Sequence, residues 1–111
     1  MTTENIELTT PLVQKGIIAL NEQDAKTWYS LFNDDATFSD DGRTMDFKSW
    51  CDRELFGNSK CSVIRIDKVE NDGLNVYCLF RSDNYGDFKT FMHFGTNGEN
   101  FVSLDVGQIN Y

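Results

Sequence analysis

Hydrophobic and polar positions change period once along this chain. Up to residue 57 the apolar residues recur at three- and four-residue spacing, and from Cys61 onward they alternate. Leu12, Val13, Ile17 and Leu20 define one apolar stripe. Thr10 stands where an N-cap is expected and Pro11 at the tolerated first helical position, so the spacing predicts a helix over 11–21. Asp24 can cap a second helix, 25–32, with Ala25, Trp28, Leu31 and Phe32 inward. Residues 36–40 read as a short strand and Asp41-Gly42-Arg43 as a turn. Asp46 can then cap a third helix, 47–56, with Phe47, Trp50, Cys51 and Leu55 inward and Gly57 as its stop.

The alternating half predicts four antiparallel strands, near 61–70, 74–83, 86–95 and 101–109. Asp72-Gly73, Gly86 and Asn97-Gly98 separate them, because these residues reach positive φ at low cost. Helices followed by a meander indicate an α+β fold, with helices covering one face of a curved antiparallel sheet. In the third of these strands Phe88, Thr90, Met92 and Phe94 share a face opposite Lys89, Phe91 and His93; in the fourth, Val102, Leu104 and Val106 alternate with Ser103 and Asp105. A two-residue turn at Asn97-Gly98 pairs Thr90 with Asp105. A three-residue loop pairs Thr90 with Val106 and Met92 with Leu104, and is preferred because apolar then meets apolar. Ile64, Ile66, Tyr77, Leu79, Phe91 and His93 are expected on the face away from the helices. A sheet with bulky groups on both faces calls for a second cover, so a homodimer through the outer face is expected.

Length and charge narrow the classes of function. The 111 residues suit a single domain, 1–111, whose first residues, 1–8, read as a short polar arm. A net charge of −8, with ten basic side chains, argues against a nucleic-acid partner. Cys51, Cys61 and Cys78 lack metal-ligand spacing and His93 is the one histidine, so no metal and no cofactor are expected. Free thiols, the absence of a basic and apolar leader in Met1–Thr10, and the absence of a long apolar run make the cytoplasm the expected compartment, with no membrane partner.

The phrase Leu31-Phe32-Asn33-Asp34-Asp35-Ala36-Thr37-Phe38-Ser39-Asp40, set between a short second helix and a third helix followed by four strands, resembles the nuclear transport factor 2-like superfamily. That superfamily includes SnoaL-like polyketide cyclases and ketosteroid isomerase, and the resemblance spans Pro11 to Ile109. It implies a cone-shaped α+β barrel, usually dimeric, with an apolar pocket between sheet and helices; the family also includes non-catalytic scaffolds. In the isomerase pattern an aspartate just after the short strand moves a proton at carbon, and Asp40 matches that position. An oxyanion-hole tyrosine on the first helix and a protonated aspartate on the third meander strand correspond here to Gly16 and Thr90.

Asp40 is therefore the candidate catalytic group. A carboxylate at the mouth of an apolar pocket gains basicity through desolvation, whereas Asp40-Asp41-Gly42 is also ordinary turn composition. Trp28, Phe38, Trp50, Phe88, Thr90, Met92, Phe94, Leu104 and Val106 are the candidate pocket lining, and their spacing fits a filled core equally well. Asp34, Asp35, Asp40, Asp41 and Asp46 do not follow a calcium-loop spacing. His93 and Asp105 are secondary candidates: His93 for proton transfer, although its outward face fits a dimer contact or solvent better, and Asp105 for the pocket only in the less favoured register. Tyr29 and Tyr77 are potential hydroxyl donors. The expected function is a cofactor-independent isomerase, cyclase or dehydratase acting on a small hydrophobic carbonyl compound; the alternative is a non-catalytic module of the same fold that binds such a ligand or dimerises.

Overall fold

The computed structural model describes residues 10–57, 60–83 and 85–110; the polar arm read at 1–8 lies outside them. Two helices come first, α1 (Pro11–Asn21) and α2 (Ala25–Ser30), and a third, α3 (Phe47–Glu54), follows the first two strands. The strands are β1 (Phe32–Asp40), β2 (Arg43–Thr44), β3 (Cys61–Glu70), β4 (Asn75–Ser82), β5 (Gly86–Thr96) and β6 (Phe101–Gln108). They form one curved, unclosed sheet in the order β2-β1-β6-β5-β4-β3. Every neighbouring pair is antiparallel except β1 and β6, which run parallel with Phe38 beside Leu104 and Asp40 beside Val106.

Local chemistry sets the helix limits. The Asp24 carboxylate accepts from the Thr27 N–H at 3.1 Å, and Asp46 from the Ser49 N–H at 3.0 Å, each satisfying an otherwise orphaned donor. Thr10 occupies the cap of α1 without a side-chain cap bond; its hydroxyl instead donates to the Asp72 carbonyl, tying the helix to the β3–β4 turn. The second helix ends at Ser30, two residues before the expected boundary. Phe32 leaves it to pair with Phe101, which makes β1 nine residues long in place of the short strand expected at 36–40.

Two expectations about the sheet are corrected. The β5–β6 register places Met92 opposite Val106 and Phe94 opposite Leu104, two residues from the preferred pairing of Met92 with Leu104. The loop is longer, with the Asn97 side chain accepting from the Glu99 and Asn100 N–H groups, and a register shift follows Gly95. A two-residue slip preserves which face each side chain takes, so Thr90, Met92, Phe94, Leu104 and Val106 remain inward and Asp105 outward. Ile66, expected outside, is buried on the inner face. Irregularities between Val63 and Arg65 and between Ile66 and Lys68 each add a residue to β3 and reverse its alternation.

The core fills one end of the cone with aromatic rings. Trp28 lies 5.1 Å from Phe32, Phe32 is 4.4 Å from Phe47, and Phe94 stacks on Phe101 at 4.5 Å. Gly16 on α1 packs beside this cluster: a Cβ there would make ordinary van der Waals contact, 3.5 Å from Trp28 and 3.6 Å from Phe101. Across the sheet, Tyr77, Leu79, Phe91 and His93 are half-buried on the outer face, where the Tyr77 hydroxyl and His93 Nε2 are 3.2 Å apart.

Candidate functional site

The opposite end of the cone is not filled. A cavity of about 260 Å³ lies between the inner sheet face and α3. Phe80, Phe88, Thr90, Met92, Leu104 and Val106 form its sheet side, and Trp50, Arg53, Glu54 and Leu55 its helical side. Met45 and Tyr85, both exposed, lie at its rim with Gln108 and the end of β1.

Asp40 reaches this cavity because of the turn that follows it. Asp41 and Gly42 take φ of +52° and +82°, folding β1 back onto β2. Asp41 then clamps the end of β1 to β6: its N–H donates to the Val106 carbonyl at 2.9 Å, and its carboxylate accepts from the Gln108 N–H at 3.2 Å. The clamp needs a glycine at 107, where a Cβ would meet the Asp41 carboxylate at 2.5 Å and the Phe91 ring at 2.6 Å. Asp41 is exposed and at the same time a structural support.

With its strand fixed, Asp40 shares the inward parity of buried Phe38 and lines the cavity. Its Oδ2 accepts from Trp50 Nε1 at 3.1 Å. Desolvation raises its pKa, the Trp50 bond opposes that rise, Asp41 and Glu54 add repulsion, and Arg43 partly offsets it. The result is a half-buried carboxylate, more basic than usual and held in one orientation by an indole N–H. Such a group can accept a proton from, or return one to, a substrate atom in the cavity.

Of the nine candidate lining residues, Trp50, Phe88, Thr90, Met92, Leu104 and Val106 line the cavity. Trp28, Phe38 and Phe94 do not; they lie in the packed aromatic core, with Phe38 only 4.6 Å from the Trp50 ring. Residue spacing alone cannot separate these two groups, since both sit on the inner face. Phe80 and Ser82 were not singled out, although alternation through β4 points both inward with Cys78. Cys61, Glu54 and Arg53 carry no sequence signal for the site, because only the tertiary fold brings the end of α3 beside the start of β3, where the Cys61 thiol meets the Glu54 carbonyl. Burial pushes the Cys61 thiol up to about 11, and it donates to the Glu54 carbonyl at 2.6 Å, so it is a poor nucleophile.

The secondary candidates lie elsewhere. Asp105 is exposed on the outer face and accepts from the Ser39 hydroxyl, and His93 stands opposite it across β5 and β6. Tyr29 donates to Asp52 at 2.5 Å, bracing α2 against α3. Among the described residues no group of three His, Cys, Asp or Glu side chains is placed to hold a metal ion, and no helix is long and apolar enough to cross a membrane.

No protein-family model and no curated protein matches the chain by sequence. Solved structures match it in shape. An NTF2-like protein of unknown function from Cytophaga hutchinsonii superposes with a TM-score of 0.68 at 18% identity, over 96% of this chain and 92% of that one. A candidate ketosteroid isomerase from Kribbella flavida gives 0.67 at 13% identity, over 98% and 82%. The orange carotenoid protein of Anabaena, binding canthaxanthin, gives 0.65 at 16% identity, over 98% of this chain and 38% of that one. The chain therefore has the nuclear transport factor 2-like fold, the cone architecture shared by SnoaL-like cyclases and ketosteroid isomerase.

Proposed function

We propose that this protein is a cofactor-independent isomerase, cyclase or dehydratase acting on a small apolar carbonyl compound, with Asp40 as its proton-transfer group. One observation carries the proposal: the carboxylate that ends β1 faces an apolar cavity, is made more basic by desolvation, and is oriented by Trp50. A base near carbon needs a low-dielectric surrounding and a fixed direction, and the cavity supplies both. The volume lies below the ~300–1,000 Å³ usual for drug-sized ligands, which favours compounds of one or two rings over a steroid. The test is exchange of the protons next to a carbonyl in D2O, followed by NMR for a panel of small cyclic ketones including 1-indanone. The wild type should accelerate exchange for at least one ketone and Asp40→Asn should abolish the acceleration. Equal rates in the two proteins would remove Asp40 from the chemistry.

A second reading is favoured by Gly16 and Thr90. Gly16 packs against Trp28 and Phe101, away from the cavity, so α1 presents no phenol to a substrate oxygen. Thr90 puts a hydroxyl where the isomerase pattern has an acid. The fold then serves as a binder of a small hydrophobic ligand, and saturable ketone binding without exchange would select it. The half-buried outer face with Tyr77, Phe91 and His93 supports a homodimer through the sheet, to be checked by sedimentation at micromolar concentration. Three free, buried thiols are consistent with a cytoplasmic location.

A further inference from the structure

The charged side chains around the cavity do not balance. Asp40, Asp41 and Glu54 border it against one cation, Arg53. Two of these carboxylates are engaged within the protein. Asp41 accepts from the Gln108 N–H, and Glu54 pairs with Arg53 at 2.9 Å, so the positive charge of the lining is matched locally. Asp40 is left over. Among the described residues it makes no salt bridge, and its hydrogen bond comes from a neutral donor, Trp50 Nε1, to one of its two oxygens. Of the neighbouring charges, exposed Arg43 acts on it more weakly than Asp41 and Glu54 do.

The apolar part of the lining also suits a positive charge. Trp50, Phe80, Tyr85 and Phe88 border the cavity, and an aromatic face carries the negative part of the ring quadrupole. Trp50 Nε1 lies 3.1 Å from Asp40, so a cation at the other carboxylate oxygen also comes close to the indole. Burial of an ion pair is favourable only when desolvation does not cancel the attraction. Asp40 meets that condition: it is half-buried at the end of β1, beside exposed Met45 and Tyr85, so a cation there keeps part of its hydration while its apolar body enters. An organic anion at the same mouth would face Asp40 with Arg53 already bonded to Glu54. The net charge of −8 acts in the same sense at longer range.

We propose that the cavity selects small organic cations: a protonated amine on an apolar ring, its nitrogen paired with the Asp40 carboxylate at the mouth and its ring against Phe88, Met92, Leu104 and Val106. The inference rests on the cavity and carboxylate of the proposed function, but not on Asp40 moving a proton. A bound ammonium occupies the group that a ketone needs as its base, so on the catalytic reading such amines compete with ketones. Selection should follow the charge of the ligand and not its size.

The experiment compares cyclohexylammonium, cyclohexanol and cyclohexanecarboxylate, which share a ring and differ in charge, by NMR titration of the wild type and Asp40→Asn at neutral pH. The wild type should bind the ammonium at least about tenfold more tightly than the alcohol, the worth of one charge-assisted hydrogen bond, and the carboxylate most weakly. Asp40→Asn, which keeps the shape of the side chain, should bind the ammonium and the alcohol equally. In the wild type the ammonium should also lower the pH at which the Asp40 carboxyl signal titrates, because it stabilises the ionised form. No binding of the ammonium, equal wild-type affinities for it and the alcohol, tightest binding of the carboxylate, an undiminished preference in Asp40→Asn, or an Asp40 titration that the ammonium leaves unmoved would each overturn the assignment. Loss of the ammonium preference in Asp40→Asn, with ketone exchange unchanged in that variant, would leave cation selection standing while the catalytic proposal fell. Ketone exchange abolished by Asp40→Asn, with equal wild-type affinities for ammonium and alcohol, would do the reverse.

Discussion

Gly16→Ala should stabilise the protein, and the reason bears on what the site lacks. Gly16 lies within α1 and is buried, and its backbone is ordinary helix. Alanine is favoured over glycine in a helix interior by about 1 kcal/mol, because glycine loses more backbone freedom on folding. The new methyl would find Trp28 at 3.5 Å, Phe101 at 3.6 Å and Leu31 at 3.8 Å, which is ordinary van der Waals contact. Burying it adds at most about 0.8 kcal/mol, for a total of about 1–2 kcal/mol. For a domain of this size the melting temperature should rise by about 4–8 °C, measured by thermal and urea unfolding. Gly16→Tyr, which installs the residue type of the isomerase pattern, should cost about 3 kcal/mol or more, because the ring must displace Trp28 or Phe101. A destabilised Gly16→Ala, or a Gly16→Tyr as stable as the wild type, would refute the packing described for α1 and reopen this position as part of the cavity.

Other outcomes follow from burial and charge. Asp40→Asn should raise stability at pH 7: the folded state raises the Asp40 pKa by desolvation, so ionisation costs the folded protein. That advantage should shrink as pH falls through the raised pKa and vanish below the unfolded value of about 3.9, as read from urea midpoints across pH. Asp24→Ala should do the opposite. The Thr27 hydroxyl and N–H hold the Asp24 carboxyl below its ordinary value, so its contribution is present at neutral pH and lost as pH falls through the lowered pKa. Thermal melts at neutral and strongly acidic pH would show the gap closing. Leu104→Ala should cost about 2–5 kcal/mol in urea unfolding and enlarge the cavity, because Leu104 is fully buried and borders it.

Much of the fold was legible because local signals agreed with one another. Asp24 and Asp46 cap the helices as their positions indicate, and the turns at Gly73, Gly86 and Gly98 use positive φ where expected. The long-range features were harder to read. Nothing in Phe32 or Asn33 announces parallel pairing with β6, which the return of β1 across the sheet imposes. The irregularities that turn Ile66 inward depend on how β3 bends against β4. At the site, β-parity brought out Thr90, Met92 and Val106, whereas the division between cavity and filled core depends on which rings meet. Trp28, Phe38 and Phe94 close one end because Phe32, Phe47 and Phe101 interleave with them. The support given by Asp41 and Gly107 appears only when a turn and a distant strand are brought together.

The most direct test of the account is the titration of the Asp40 carboxyl, followed by carboxyl-detected NMR with Asp40→Asn to assign the signal. A desolvated carboxylate beside Asp41 and Glu54 should titrate above the ordinary aspartate value of about 3.9 and shift further when a small ketone enters the cavity. A value at or below the ordinary one, unmoved by the ketone, would make Asp40 a solvated turn residue and contradict its place in the chemistry.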